Sequence, residues 1–164
     1  MPNVMIGVAF SVLFAIGAAA AAPSTLPFAQ LVDFCGSTTI AEAEANGEQL
    51  GWRRMTAAEL EDWRMGFVAY TGGSVEISGW RREDNDGGES LSFWVARGPS
   101  RHRACAYTAT NPARLLDDLS ERFGTPNNLE KYDFGTTFSW KLGATEISFS
   151  RVGQIAVFYV VHSD

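Results

Sequence analysis

The chain has 164 residues, 46% of them apolar and 20% charged, and its formal net charge is −6. That composition excludes wholesale disorder, and the acidic balance excludes general nucleic-acid binding, which needs a cationic field to displace counterions. Two histidines are too few for a histidine-rich metal centre, and the length suits one domain around one hydrophobic core.

Residues 4–22 carry no charge: an apolar run over 4–16 gives way to Gly17, five alanines and Pro23. Apolar residues followed by small ones suit export and then cleavage, with Ala19 and Ala21 as the A-x-A pair. Pro23 would hinder a cut after Ala22, so the expected cut lies between Ala21 and Ala22. The resulting plan is a signal peptide over 1–21 and a single domain over 22–164. An uncleaved anchor is the alternative, since the uncharged stretch reaches the lower limit for a spanning helix. Its alanine- and glycine-rich final third gives little transfer energy, so stable membrane insertion after cleavage is not expected.

An exported chain meets oxidant, and Cys35 with Cys105 then reads as one disulfide. The loop it closes holds about seventy residues, for which chain entropy gives about 4 kcal/mol. No C-x-x-C spacing is present to depress a thiol pKa, so the pair is not expected to be redox-active.

The mature chain opens with a helix in which Pro27 suits the first turn and Phe28, Leu31, Val32 and Cys35 recur on one face, ending at Gly36. Thr39 with Glu42 forms a capping-box pattern for a second, alanine-rich helix ending near Asn46-Gly47. Thr56 with Glu59 opens a short third helix carrying Leu60 and Trp63. From Phe67 the period changes to two, so residues 67–71 and then Val75, Ile77 and Gly79 are predicted as strands around Gly72-Gly73. Residues 83–89 read as a polar hairpin loop. Leu91, Phe93 and Val95 then alternate with Ser92, Trp94 and Ala96, and a further strand holds Cys105, Tyr107 and Ala109.

Asn111-Pro112 predicts a helix start, with Leu115, Leu116, Leu119 and Phe123 as its apolar stripe and Gly124 as its stop. Three strands follow, over 134–142, around Ile147 and Phe149, and over 155–161. Gly-Trp-Arg-Arg occurs at 51–54 and again at 79–82, but the flanking residues differ and the match reads as coincidence. The expected fold is α+β: a mainly antiparallel sheet of about six or seven strands with the helices packed on one face.

The candidate chemistry is sparse. Residues 84–89 (Asp-Asn-Asp-Gly-Gly-Glu) invite a calcium reading, yet counting back from Gly87 puts Arg82 at the first ligand position, so a solvated turn is expected and no metal or cofactor is assigned. Arg97, Arg101, His102 and Arg103 crowd one turn and form the candidate anion-binding spot, because a guanidinium fork suits phosphate or carboxylate. Trp94, which faces away from Leu91, Phe93 and Val95, and Trp80 are the candidate partner-binding aromatics. Trp52 and Trp80 each precede two arginines, which permits cation–π contact. No nucleophile elbow or acid–base constellation is present, so no catalytic residue is assigned.

Phe28 to Cys35, a helix, Gly51-Trp52, and then Cys105 ahead of the Asn111–Gly124 segment together resemble small exported proteins of Gram-negative bacteria of unassigned function. The resemblance implies a periplasmic or secreted domain and brings no active site with it. The expected role is a non-catalytic binding or accessory protein of the cell envelope, contacting an envelope or secreted protein partner through sheet aromatics and the 97–103 turn. Two alternatives stand beside it. A small secreted hydrolase would need His102 in a cleft with a carboxylate in reach. An inhibitor of a secreted enzyme would present the 83–89 loop.

Overall fold

The computed structural model describes residues 26–83, 88–112 and 114–163. The expected signal peptide with its cleavage point, and Asp84 to Gly87 of the acidic loop, lie outside them. The elements run α1 (Phe28–Cys35), α2 (Ile40–Glu48), β1 (Arg53–Arg54), α3 (Ala57–Thr71), β2 (Ser74–Arg82), β3 (Glu89–Arg97) and β4 (His102–Thr110). After these come α4 (Leu115–Phe123), β5 (Asn128–Tyr132), β6 (Gly135–Leu142), β7 (Thr145–Val152) and β8 (Ile155–Ser163). All strands join one antiparallel eight-stranded sheet in the order β1-β2-β3-β4-β8-β7-β6-β5. The class is α+β as expected, with eight strands in place of six or seven.

That strand order reads the same from both edges, and the pairing registers show why. In β2 and β3 Trp80 faces Leu91, and two residues on Phe93 faces Cys105 of β4. In β6 and β7 Trp140 faces Ile147, and two residues on Phe149 faces Phe158 of β8. The two β3/β7 segments carry the same pattern, Leu91-Ser92-Phe93 and Ile147-Ser148-Phe149. At the centre Cys105 pairs with Val160 and Tyr107 with Phe158, so the correspondence of Cys105 with Phe158 and of Tyr107 with Val160 maps each pair onto the other. A pseudo-two-fold axis therefore runs through the Ala106–Tyr159 pair. Each half is one helix followed by four meandering strands: α2 with β1 to β4, and α4 with β5 to β8.

The core follows from the pleat. Leu91, Phe93, Cys105, Tyr107, Ile147, Phe149, Phe158 and Val160 point to one side, where α1, α2 and α4 cover them; burying a side chain of this size contributes about 1.5–3 kcal/mol. Each half fixes its tryptophan against a glycine at the end of its helix. The Trp80 ring lies on Gly47, where an added Cβ would come within 2.3 Å of it, and Trp140 Nε1 donates to the Gly124 carbonyl at 2.8 Å. The disulfide joins Cys35 at the end of α1 to Cys105 in β4, with Cα atoms 5.4 Å apart, and Phe34 packs edge-on against Trp80 and Phe93 beside it.

The expectation of helices on one face fails at α3. A Cβ on Gly79 would sit 2.9 Å from Met55 Sδ and 3.2 Å from Leu60 Cδ2, whereas its neighbour Trp80 faces α2. Trp63 of α3 lies 4.9 Å from Trp94, centroid to centroid, and Phe67 lies 5.7 Å from His102. Helix α3 therefore covers the opposite face, over β2 to β4.

It is also longer than expected, since residues 67–71 are helical and not a strand. A complete Thr56–Glu59 capping box starts the helix and Gly72, at φ 69°, ends it. The β-prone aromatics are absorbed at helical spacing, Trp63 stacking on Phe67 one turn later at 5.2 Å. At the fourth helix the expected start is early: Asn111 adopts φ 46° and its N–H binds the Gln154 carbonyl at 2.7 Å, which holds it to the sheet, so α4 begins at Leu115.

Candidate functional site

In the expected anion-binding turn, His102 is set apart from its neighbour Arg103. Arg97 pairs with Glu76 at 3.2 Å. Arg103 is half-buried on the α1/α2 side, close enough to Glu42 to favour that carboxylate's charged form, although the backbone and side chain of Thr38 depress its pKa more. His102 points to the other face, as the pleat requires of a neighbour. Its Nε2 accepts from Trp94 Nε1 at 3.2 Å and its Nδ1 lies 2.7 Å from the Ser100 carbonyl, which assigns the proton to Nδ1. Both ring nitrogens are thus engaged inside the protein, and neither partner is the carboxylate that an acid–base role would require.

The expected aromatic contacts are corrected as well. Trp94 does face away from Leu91 and Phe93, but α3 lies over it and leaves it 2% exposed; Trp80 is 1% exposed beneath α2. The cation–π contacts do form, with Arg54 over the Trp80 ring at 5.9 Å and Arg82 over Trp52 at 5.4 Å.

At the foot of the acidic loop Glu89 is buried and fixed in the core. Arg82 Nη2 approaches its Oε2 at 2.5 Å, and Tyr107 Oη donates to Oε1 at 2.7 Å. Burial raises the Tyr107 pKa, and the bond to Glu89 raises it further. His162, near the chain end, is held in β8 opposite Arg103, with Nδ1 2.9 Å from Thr145 Oγ1. Among the described residues no cluster of three or more His, Cys, Asp or Glu side chains could hold a metal, and no helix is long and apolar enough to cross a membrane.

One surface remains that composition alone did not single out. On the α3 side, the second half of the sheet has no element of the described chain above it. Its residues in register are Thr137 and Ser139 on β6, Ser148 and Ser150 on β7, and Val157 and Tyr159 on β8, all half-buried. Thr137 and Ser150 share a hydroxyl hydrogen bond at 2.9 Å. A groove of about 460 Å³ opens here between Tyr159 and Val161 on one side and Asn127, Asn128, Lys141 and Glu146 on the other.

An aromatic ladder walls the groove towards α3. Phe67 stacks on Trp63, Trp63 meets Trp94, and Trp94 meets Tyr159 at 5.4 Å. Burial raises the Tyr159 pKa, so its phenol stays neutral at the edge of the groove. At the far end Tyr132, Val152 and Ile155 are about half exposed (50%, 49% and 52%). The surface is thus hydroxyl-rich and uncharged at its centre, apolar at one end and paired in charge at the other, where Lys141 meets Glu146 at 3.3 Å. Such a lining can donate and accept hydrogen bonds. Serines alternating with Ile147 and Phe149 were the sequence signal for it, legible once the partner strands were known.

No family model matches the chain, and neither a curated protein nor a solved structure matches it.

Proposed function

We propose that the chain is an exported binding protein of the bacterial cell envelope, periplasmic or secreted, which holds a protein partner on the uncovered half of its sheet. The single observation that carries the binding role is the asymmetry of that face: one half lies under α3, and its two-fold counterpart is open and lined by Thr137, Ser139, Ser148, Ser150 and Val157. Small side chains let a partner approach the sheet closely, and the half-exposed Tyr132, Val152 and Ile155 at its end supply apolar contact. Export is supported by the uncharged leader with its small-residue cut site and by the Cys35–Cys105 disulfide, a bond that persists in oxidising compartments.

Two measurements test the reading. Fractionation of the producing cell with N-terminal sequencing should find the protein outside the cytoplasm and starting at Ala22; a cytoplasmic chain starting at Met1 contradicts export. Ser148→Arg places a long charged side chain in the groove without touching the core and should reduce recovery of the bound partner at least tenfold, whereas Asp117→Arg on exposed α4 should leave it unchanged. Equal recovery by both variants contradicts the proposed surface.

A further inference from the structure

The internal two-fold relates more than the core. Helix α3 crosses its half of the sheet diagonally, Leu60 over Gly79 of β2, Trp63 over Trp94 of β3 and Phe67 over His102 of β4. The registers that equate Trp80 with Trp140, Phe93 with Phe149 and Cys105 with Phe158 carry this diagonal onto Ser139 of β6, Ser150 of β7 and Ile155 of β8. The second half has no insertion to lie there, because β5 ends at Tyr132 and β6 begins at Gly135.

We infer that the diagonal Ser139–Ser150–Ile155 is a seat for one amphipathic helix of a partner protein, bound as α3 is bound within the chain. This rests on the binding role proposed above and names the partner's shape. The contact positions of α3 stand at i, i+3 and i+7 (Leu60, Trp63, Phe67), the spacing of one helix face, and the partner helix presents the same spacing. Its side chains have the reverse size profile. Where the first half has Gly79, the second has Ser139, so the partner places a small residue there. Where the first half has Trp94, the second has Ser150, so a large apolar or aromatic side chain enters the space the indole would fill. Ile155, 52% exposed, takes an aliphatic or aromatic contact in place of the His102–Phe67 pair. A strand added at β5 does not exploit this diagonal, since edge pairing uses main-chain groups beside the sheet and not side chains above it.

Photo-crosslinking in the exporting cell tests the inference. The full chain carries p-benzoylphenylalanine at Ser139, Ser150 or Ile155, and in a fourth variant at Ser148, which lies in the groove but off the diagonal; circular dichroism confirms that each folds. The expected result is attachment to one partner at three sites whose sequence spacing follows i, i+3 or i+4, and i+7. Sites two residues apart, scattered sites, or attachment to α3 of a second copy overturn the helix seat. Capture through Ser148 without capture at the three diagonal positions overturns the seat and leaves the binding face standing. Capture at none of the four overturns both.

Discussion

The two halves of this chain share a register and a core plan but differ in what lies above the sheet. In the first half Trp80, Leu91 and Phe93 are sealed below by α1 and α2, and Trp94 is sealed above by α3. In the second half Trp140, Ile147 and Phe149 are sealed in the same way below, yet the upper side carries serine and threonine. The lesson is that the upper face adds little to the core: α3 has no fully buried residue, and a half without such a helix is closed as well as the half that has one. The upper face is therefore free to specialise.

The largest expected effect breaks the symmetry at the staple, which only the first half possesses. Replacing Cys35 and Cys105 together by alanine should lower stability by about 4 kcal/mol, the chain-entropy value for a loop of this length, read as the shift in urea midpoint. A loss under about 1 kcal/mol would mean the two halves hold α1 without covalent help. The core comparison is sharpened next by Trp80→Ala and Trp140→Ala. Both rings are 1% exposed, so each truncation should cost about 3 kcal/mol or slightly more, and the two costs should agree within about 1 kcal/mol. Unequal costs would show that the repeat in register is not a repeat in energetics.

Smaller effects separate the upper faces. Thr56→Ala removes the cap of α3 and should cost about 1 kcal/mol. Acid acts on the same helix through Glu59. The Arg53 guanidinium, bonded to it at 2.8 and 2.9 Å, and then the Thr56 backbone N–H lower its carboxyl from the ordinary 4.5 to about 2. A depressed folded-state pKa means the contribution is complete above pH 4.5 and is lost as pH falls from there towards 2. Trp63 and Trp94 fluorescence should shift to the red across that window, and the part of the shift that Glu59→Gln displays already at neutral pH is the part α3 owns. A titration identical in wild type and variant would detach Glu59 from the helix.

Much of the fold was legible because its causes are local. The N-cap at Thr39, the capping box at Thr56, the Leu115–Phe123 stripe, and alternation through 91–96 and 147–149 each act within a few residues. An even cysteine count, with the export that the leader led us to expect, sufficed for the disulfide pairing. What was missed depends on distant partners. β1 has two residues and β5 is exposed throughout, so neither shows alternation. The 67–71 run favours strand by composition, and only the cap eleven residues earlier decides otherwise. The repeat was hidden because the visible one, Gly-Trp-Arg-Arg, lies in β1 and β2, which are neighbours and not counterparts. The candidate site was the least legible part. His102, next to Arg103 in sequence, is turned by the pleat to the other face, an outward-facing Trp94 is covered by a helix on an unexpected side, and the open groove is built of serines and threonines that carry no motif.

The most direct test of the open half sets the two surfaces against each other in one experiment. Partner recovery is quantified for Ser150→Arg, in the uncovered face, and for Arg101→Ala, in the basic turn. A loss of tenfold or more for Ser150→Arg with recovery by Arg101→Ala unchanged is the predicted result. Full recovery by Ser150→Arg with a loss in Arg101→Ala would return the partner to the turn and leave the open face without a role.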